Sequence, residues 1–257
     1  TDTAIVGLGH RRLSIIDLSA AASQPMQYKS LYVIFNGEIY NYNEIRDELI
    51  AKGHEFIRHS DTEVILHAYE EWGKDCLQKF TGMFVFILLD AEKQTVFCAR
   101  DRAGVKPFHW YFHNDLFLFG SELKAFHQHP GFKKELNRDS VAAFMQFGYV
   151  PTPHSIFKHT HKLQPGHTLS VDLRSKEIKI EKYWDVIDYY NKPKLNISLP
   201  DAISETEKIL EKAFQYRMVA DVPVGVFLSG GYDSTCVTAL LQKNSSAKIN
   251  TFTIGVH

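Results

Sequence analysis

The chain has 257 residues, a length expected for one large domain or two smaller ones. Of these residues, 44% are hydrophobic and 23% are charged. Its 29 basic and 30 acidic residues leave a formal net charge of -1, so neither nucleic acid nor a membrane surface is indicated as a partner. No apolar run is long enough to cross a bilayer. The 3 cysteines are an odd number without metal-ligand spacing, and this pattern indicates a reducing, cytoplasmic setting. We expect these cysteines to be small buried side chains.

The first part of the chain is rich in strand patterns. β-Branched and aromatic runs bounded by Asn, Asp or Gly predict strands over 31–36, 82–90, 94–101 and 116–121. These runs are apolar on both faces, so other layers must cover them. We therefore expect a core of stacked sheets rather than one open sheet.

Two amphipathic helices are predicted among these strands. The first, over 41–53, places Ile45, Leu49 and Ile50 on one face, and the second follows over 61–73. Both patterns end at a glycine, a residue that commonly terminates helices.

The composition of the sequence changes beyond residue 150. A stretch rich in Pro, Gly and His precedes a hairpin whose strands are predicted at 168–173 and 177–184. The histidines of this stretch lack the spacing of metal ligands, and we expect them to be exposed or locally hydrogen-bonded. Residues 186–200 are typical of a linker.

The last part of the chain has the pattern of a βαβ unit. A strand over 223–228, a glycine turn, a helix over 233–243 and a strand over 249–254 predict the start of a parallel sheet. Pro200 begins a helix ahead of this unit. The predicted apolar stripe of this helix consists of Ile203, Ile209, Leu210, Ala213 and Phe214.

The glycine turn has the features of a phosphate site. The N–H groups of Gly230 and Gly231 can approach an anion closely, and the following helix adds its positive N-terminal end. Ser229 and Ser234 add hydroxyl donors, whereas Asp233 beside a phosphate implies a cation such as Mg²⁺ between them. The loop lacks the Gly-Lys-Ser/Thr ending and the three-glycine dinucleotide pattern, which argues against γ-phosphoryl and hydride transfer.

Together the motifs resemble a known family. "LSGGYDS" resembles the pyrophosphate loop of the ATP pyrophosphatases, whereas the N-terminal motifs resemble, in order, the glutaminase domain of glutamine-hydrolysing asparagine synthetases. These motifs are "GHRRLSIIDLS", "VIFNGEIYNYNEIRDEL", "HSDTEVILHAYEEWG" and "CARDRAGVKPFHW". The resemblance covers nearly all of the chain. It implies an N-terminal-nucleophile stacked double sheet (αββα) over 1–185, a linker over 186–200, and the start of an α/β ATP-pyrophosphatase domain over 201–257.

The resemblance also assigns roles in a glutamine pocket. Arg12 would hold the α-carboxylate of glutamine, and Glu38 and Asp61 its α-ammonium group. Asn36 and Gly37 would form the oxyanion hole that stabilises the developing negative charge.

In the second domain the resemblance implies ATP and Mg²⁺. Leu228 and Ile254 would contact adenine through their backbone groups. The residues expected at the pyrophosphate are Ser229, Gly230, Gly231, Asp233 and Ser234, with Asp233 as the magnesium ligand.

The implied reaction couples two steps. Glutamine hydrolysis supplies ammonia in a closed cavity, and Mg·ATP activates aspartate as β-aspartyl-AMP with release of pyrophosphate. Ammonia then yields asparagine and AMP. Glutamine, aspartate and ATP are thus the implied partners, and the resemblance is compatible with a homodimer.

The family's nucleophile, a cysteine at the mature N-terminus, has no counterpart in this sequence. Thr1 lies too close to Arg12 to be in register, so we expect it to be the edge of a fragment that does not hydrolyse glutamine alone. Two alternatives stay open. In the first, the acceptor is another carboxylate, such as a polysaccharide or secondary-metabolite precursor. In the second, the protein is a non-catalytic homologue that binds glutamine or nucleotide.

Overall fold

The structure, a computed structural model, describes residues 4–255, which separate into two compact units. The N-terminal unit contains Ala20–Asn191 and the described residues up to Arg12. The C-terminal unit contains Leu13–Ser19 and the chain from Lys192 onward.

The N-terminal unit consists of two antiparallel sheets and several helices. Its described strands are β1 (Met26–Tyr28), β2 (Leu31–Ile39), β3 (Gly82–Asp90), β4 (Thr95–Arg100), β5 (His109–His113), β6 (Leu116–Gly120), β7 (Thr160–Lys162), β8 (His167–Asp172) and β9 (Ile178–Lys182). Its described α-helices are α1 (Tyr42–Ala51), α2 (Asp61–Trp72), α3 (Cys76–Lys79), α4 (Arg138–Phe147) and α5 (Val186–Tyr190).

The two sheets are stacked on each other. The larger has six strands in the order β1-β2-β3-β4-β8-β9, and the smaller has three in the order β6-β5-β7. Aliphatic side chains of the larger sheet pack against an aromatic face of the smaller one, which excludes water from both. The core between them includes Ile34, Val85, Ile87, Val96, Cys98, Leu169 and Val171 on one side and Phe108, Trp110, Phe117 and Phe119 on the other.

Helix α2 covers the opposite face of the larger sheet. The ring of its Tyr69 lies 5.4 Å from that of Phe97, which in turn contacts Phe86 at 5.9 Å. A 3₁₀ helix, Leu123–Gln128, lies next to the smaller sheet, where its Phe126 is buried. The predicted stacked double sheet is therefore confirmed.

Some details differ from the sequence-based predictions. Strand β2 continues to Ile39, because the backbone at Gly37 remains paired with β3. Ile50 is exposed, although the apolar periodicity placed it with Ile45 and Leu49, because α2 covers only part of that face. Cys236 is exposed rather than buried. The short strands β1 and β7 and the helix α4 were not predicted.

The C-terminal unit contains the predicted βαβ arrangement. Its elements are α6 (Leu199–Tyr216), β10 (Gly225–Phe227), α7 (Tyr232–Lys243) and β11 (Asn250–Phe252). Strands β10 and β11 are parallel, with Val226 opposite Thr251, and the Ser198 hydroxyl caps α6.

The predicted apolar stripe of α6 is only partly correct. Leu210, Ala213 and Phe214 are half-buried, but Ile203 and Ile209 are exposed. The reason is that α6 contacts α7 along a face that includes acidic residues, where Lys243 pairs with Glu207 and Glu211 at 2.7 and 3.0 Å.

The segment Leu13–Ser19, which the sequence places in the first domain, is tied to the second unit by hydrogen bonds. The N–H of Asp17 donates to Asp221 Oδ2 at 2.7 Å, and the N–H of Asp221 donates to the Ile15 carbonyl at 2.9 Å. Within residues 4–255, no helix is long and apolar enough to cross a membrane.

Candidate functional sites

Strand β2 carries three of the predicted pocket residues, Asn36, Gly37 and Glu38, inside a continuous ladder with β3. Asn36 lies opposite Val85 and Gly37 opposite Phe84 of β3. A Cβ atom at Gly37 would lie 2.1 Å from the Met83 carbonyl oxygen, so the sheet can close at this point only with glycine.

Asp61 is placed beside this strand by the start of α2. The helix begins after Ser60, whose hydroxyl accepts a hydrogen bond from the N–H of Thr62. Asp61 is only 4% exposed, and its Oδ2 accepts a hydrogen bond from the N–H of Ile39 at 3.1 Å. The carboxylate thus joins the helix to the end of β2.

Glu38 and Asp61 form a buried carboxyl pair. Burial raises the pKa of Glu38, and the neighbouring Asp61 carboxylate raises it further, whereas the positive charges of Lys106 and Arg12 lower it. Burial also raises the pKa of Asp61, whereas hydrogen bonds from the backbone N–H groups of Ile39 and Thr62 and the positive charge of Arg12 lower it. Two like charges in one buried site favour retention of a proton by the pair.

This arrangement suits a zwitterionic ligand. A bound ammonium group would compensate the carboxyl pair, and the half-buried Arg12 offers a guanidinium for a carboxylate. Arg11 next to it is exposed. The charges of Arg12, Glu38 and Asp61 therefore act on one another in the structure.

The amide of Asn36 is held by a residue that the sequence did not indicate. Its Nδ2 donates a hydrogen bond to the Ser121 hydroxyl at 3.2 Å, just beyond the end of β6. An amide nitrogen has two hydrogens, so Nδ2 keeps a second donor for an oxyanion. Ser121 follows an aromatic strand without any motif, and no local signal identifies it.

Gln24 is a second residue that the sequence did not indicate. Its Oε1 accepts a hydrogen bond from the N–H of Phe35 at 2.6 Å, and its Nε2 donates to the Thr62 hydroxyl at 3.3 Å. Gln24 thus connects the residue before Asn36 with the residue after Asp61, and it fixes β2 relative to α2.

Lys106, the third such residue, is positioned by a tight turn. Asp101 is buried and accepts hydrogen bonds from the N–H groups of Val105 and Lys106 at 2.9 and 3.0 Å. Arg100 donates to the Lys106 carbonyl at 2.7 Å. Arg100 and Asp101 thus hold this turn, and the consequence is a cation near Glu38.

The glycine loop of the C-terminal unit is exposed and internally hydrogen-bonded. The Ser234 hydroxyl accepts from the N–H of Ser229 at 3.2 Å and lies 3.1 Å from the Ser229 hydroxyl. Gly230 has a φ of +83°, and a Cβ atom added there would meet no atom within 4 Å. Helix α7 begins after Gly231, so its first N–H groups have no side-chain cap.

The remaining predicted residues of this loop also lie at its surface. Asp233 is exposed in the first turn of α7. The N–H of Leu228 donates to the Phe252 carbonyl at 2.9 Å, and the Leu228 carbonyl accepts from the Thr253 hydroxyl at 2.6 Å, so both backbone groups have partners within the unit. Ile254 is exposed beyond β11.

One group among the described residues has metal-ligand geometry, namely His54, His67 and Glu70 in the N-terminal unit. The sequence did not indicate it, because these residues have no recognised spacing. The expectation about Thr1 concerns a residue outside the described ones.

Two family profiles match different parts of the chain. The profile of the family described as "Glutamine amidotransferase domain" matches residues 1–184, and that described as "Asparagine synthase" matches residues 205–257.

Several curated proteins are similar along almost the whole chain. The putative asparagine synthetase (glutamine-hydrolyzing) 2 of Methanocaldococcus jannaschii is 40% identical over 97% of this chain and 51% of its own length. Asparagine synthetase (glutamine-hydrolyzing) 3 of Bacillus subtilis is 39% identical over 96% of this chain and 40% of its own length. Amidase chry2 of Gibberella zeae is 34% identical over 94% of this chain and 36% of its own length. The chain thus spans about half, or less, of the length of these relatives.

Proposed function

Because the chain belongs to the glutamine amidotransferase domain family, we propose that it is part of an enzyme that transfers ammonia from glutamine to an activated carboxylate. Aspartate is the proposed acceptor, activated by ATP and Mg²⁺ as β-aspartyl-AMP, and asparagine, glutamate, AMP and pyrophosphate are the products. Relatives named asparagine synthetase, similar along almost the whole chain, support this assignment.

The observation that carries the glutamine half is the buried Glu38–Asp61 pair beside Arg12. A pair of carboxyls that retains a proton in the free protein gains a counter-charge when an ammonium group arrives. Arg12 matches the α-carboxylate at the other end of the same ligand. Asn36, held by Ser121, and the N–H of Gly37 are the proposed donors to the oxyanion of the side-chain amide.

Glutamine binding to the full chain tests this half directly. Isothermal titration should detect glutamine, and Arg12→Ala should weaken it by at least about tenfold, because one charge-assisted hydrogen bond is worth about 1.5–3 kcal/mol. Arg11→Ala is the matched control, since the neighbouring exposed arginine should leave the affinity unchanged. Equal loss in both variants, or in neither, would contradict the assignment of Arg12.

The proposed ATP half rests on the loop between β10 and α7. Gly230 and Gly231 leave backbone N–H groups accessible, and Ser229 and Ser234 place two hydroxyls 3.1 Å apart at the same helix end. We assign this loop to the pyrophosphate of ATP, with Asp233 as a magnesium ligand.

Pyrophosphate binding in the presence and absence of Mg²⁺ tests the loop. Asp233→Asn should remove most of the magnesium dependence, because it replaces an anionic oxygen ligand with a neutral amide. Glu205→Gln removes the same charge from an exposed site of the C-terminal unit and should behave as wild type. A magnesium dependence that survives in Asp233→Asn would exclude this residue as the ligand.

A second candidate is amidation of a different carboxylate. It is favoured by the similarity to Amidase chry2, whose name does not specify aspartate and which matches 94% of this chain. ATP-pyrophosphate exchange by the complete protein, with aspartate and then with other carboxylic acids, separates the two. Exchange that requires aspartate supports the first proposal, and exchange only with another acid supports the second.

A further inference from the structure

Two imidazoles meet at α2, one from the helix itself and one from the connection that precedes it. His67 is completely buried in the middle of α2, and His54 lies in the connection between α1 and α2. Their Nδ1 atoms are 3.1 Å apart, and Glu70 Oε2 lies 3.7 Å from Nδ1 of His54. One ligand atom from each of the three residues lies within 4.8 Å of the others.

The second nitrogen of each imidazole faces a carboxylate. His54 Nε2 lies 3.1 Å from Glu71 Oε2, and His67 Nε2 lies 4.0 Å from Glu63 Oε1. A ring nitrogen that faces a carboxylate is favoured to carry the proton, and a neutral imidazole has only one. Both Nδ1 atoms then present lone pairs to each other, and either a proton or a metal ion between them relieves the repulsion.

The alternative is a hydrogen bond from Nδ1 of His67 to Nδ1 of His54. It would leave Nε2 of His67 as a bare lone pair facing the Glu63 carboxylate, and this buried nitrogen has no hydrogen-bond partner. The imidazole cannot rotate freely to relieve this contact, because the rings of Tyr28 and Phe56 lie 4.1 and 4.3 Å from it. A second alternative, a hydrogen bond from Nδ1 of His54 to Nδ1 of His67, keeps the proton on Nε2 of His67 and places a proton, instead of an ion, at the point between the two nitrogens.

The distances agree with a metal ion at that point. In a tetrahedral zinc site with Zn–N bonds of about 2.0–2.1 Å, two ligand nitrogens lie about 3.3 Å apart. Lys29 hydrogen-bonds Oε1 of Glu70, and Oε2 is the oxygen that lies beside Nδ1 of His54. The carboxylate of Glu71, hydrogen-bonded to Nε2 of His54, is the arrangement that orients metal ligands in known sites, whereas Glu63 lies too far from His67 for a hydrogen bond.

We propose that His54, His67 and Glu70 bind a divalent first-row transition-metal ion, of which Zn²⁺ is the natural probe. Water would complete the coordination, because the three residues supply one atom each. The ion would fasten α2, which begins at Asp61, to the connection that follows α1. Its role would be structural support for the helix that carries Asp61.

The full chain, freed of metal by a chelator and then dialysed, provides the test. Cobalt should produce a visible absorption band, and Zn²⁺ should displace it with a stoichiometry of one ion per chain. His54→Asn and Glu70→Gln should each weaken Zn²⁺ binding by about tenfold or more. His59→Asn is the matched control, since His59 is exposed in the same connection and should leave the affinity unchanged.

Substitution of His67 is avoided because this residue is buried and its loss could unfold the chain. Glu71→Gln supplies an independent check, since it alters only the orientation and basicity of His54 and should weaken binding by about tenfold. Stoichiometric binding that His54→Asn and Glu70→Gln both reduce supports the site. Failure of the wild-type chain to bind Zn²⁺, or equal binding by His54→Asn and wild type, would overturn it.

Discussion

The two units of the chain bury their apolar strands to very different extents. In the N-terminal unit, Phe84 and Phe86 of β3 are completely buried, because helices cover one face of the larger sheet and a second sheet covers the other. In the C-terminal unit, Phe227 of β10 is 78% exposed and Phe252 of β11 is 60% exposed. A parallel pair needs cover on both faces, so an apolar strand pattern becomes a core only where other layers pack on it.

The candidate sites differ in the same way. The carboxyl pair of Glu38 and Asp61 is buried, and its proton affinity is set by the surrounding protein. The glycine loop is exposed, and its geometry is set by local hydrogen bonds between Ser229 and Ser234. The first site should therefore be sensitive to packing, and the second mainly to changes in its own residues.

The largest expected contrast is between a buried and an exposed phenylalanine. Phe86→Ala should lower the free energy of unfolding by about 3–5 kcal/mol, whereas Phe227→Ala should change it by no more than about 0.5 kcal/mol. All 3 tryptophans, Trp72, Trp110 and Trp184, lie in the N-terminal unit, so their fluorescence during urea unfolding reports that unit alone. Far-UV circular dichroism follows both units. A cost for Phe227→Ala as large as that for Phe86→Ala would contradict the difference in burial.

Two glycines sharpen the contrast at the sites themselves. Gly37→Ala would force a Cβ atom to 2.1 Å from the Met83 carbonyl and should cost about 3 kcal/mol in the same unfolding experiment. Gly230→Ala meets no atom within 4 Å, so only its φ of +83° opposes the change, at about 1 kcal/mol. Equal destabilisation by the two substitutions would show that backbone conformation, not space, limits both positions.

A smaller effect is expected where one side chain links two site elements. Gln24→Ala leaves the N–H of Phe35 without its acceptor and should cost about 1–3 kcal/mol by tryptophan-detected unfolding. It should also weaken glutamine binding, because β2 and α2 lose a connection. Gln27→Ala, an exposed glutamine three positions along, should change stability by less than about 0.5 kcal/mol. Similar costs for both glutamines would argue against a linking role for Gln24.

The last prediction is a pH dependence confined to the N-terminal unit. Because the folded-state pKa of Glu38 is raised, the unfolded chain releases this proton first as the pH increases above the ordinary carboxyl range. The folded state therefore loses stability until the pH passes the raised pKa. Glu38→Gln should flatten this decline between about pH 5 and about pH 8.

The control for this prediction is Glu92→Gln, which removes an exposed carboxylate and should keep the wild-type slope. Glutamine at saturating concentration should also reduce the decline, because its ammonium group stabilises the ionised pair. A slope that Glu38→Gln leaves unchanged would place the responsible group elsewhere.

Local sequence patterns were sufficient to predict most regular elements. The strand over 82–90, the helix starting at Asp61 and the parallel βαβ unit are all present. The short strands β1 and β7 were not predicted, because three residues are too few to show a hydrophobic period. These strands form only through pairing with β2 and β5. Ile50, Ile203 and Ile209 were misassigned because periodicity describes a helix and not the layer that packs against it.

The sequence by itself determined which kinds of side chain are present and their order: a guanidinium at Arg12, an amide at Asn36, carboxylates at Glu38 and Asp61, and the glycine loop. Only the tertiary structure decided their surroundings. Ser121, Gln24 and Lys106 reach the first site from distant segments. His54 and His67 likewise meet across the connection between two helices. Contacts between residues distant in the chain depend on how layers pack, and hydrophobic periodicity specifies the faces of elements but not their partners.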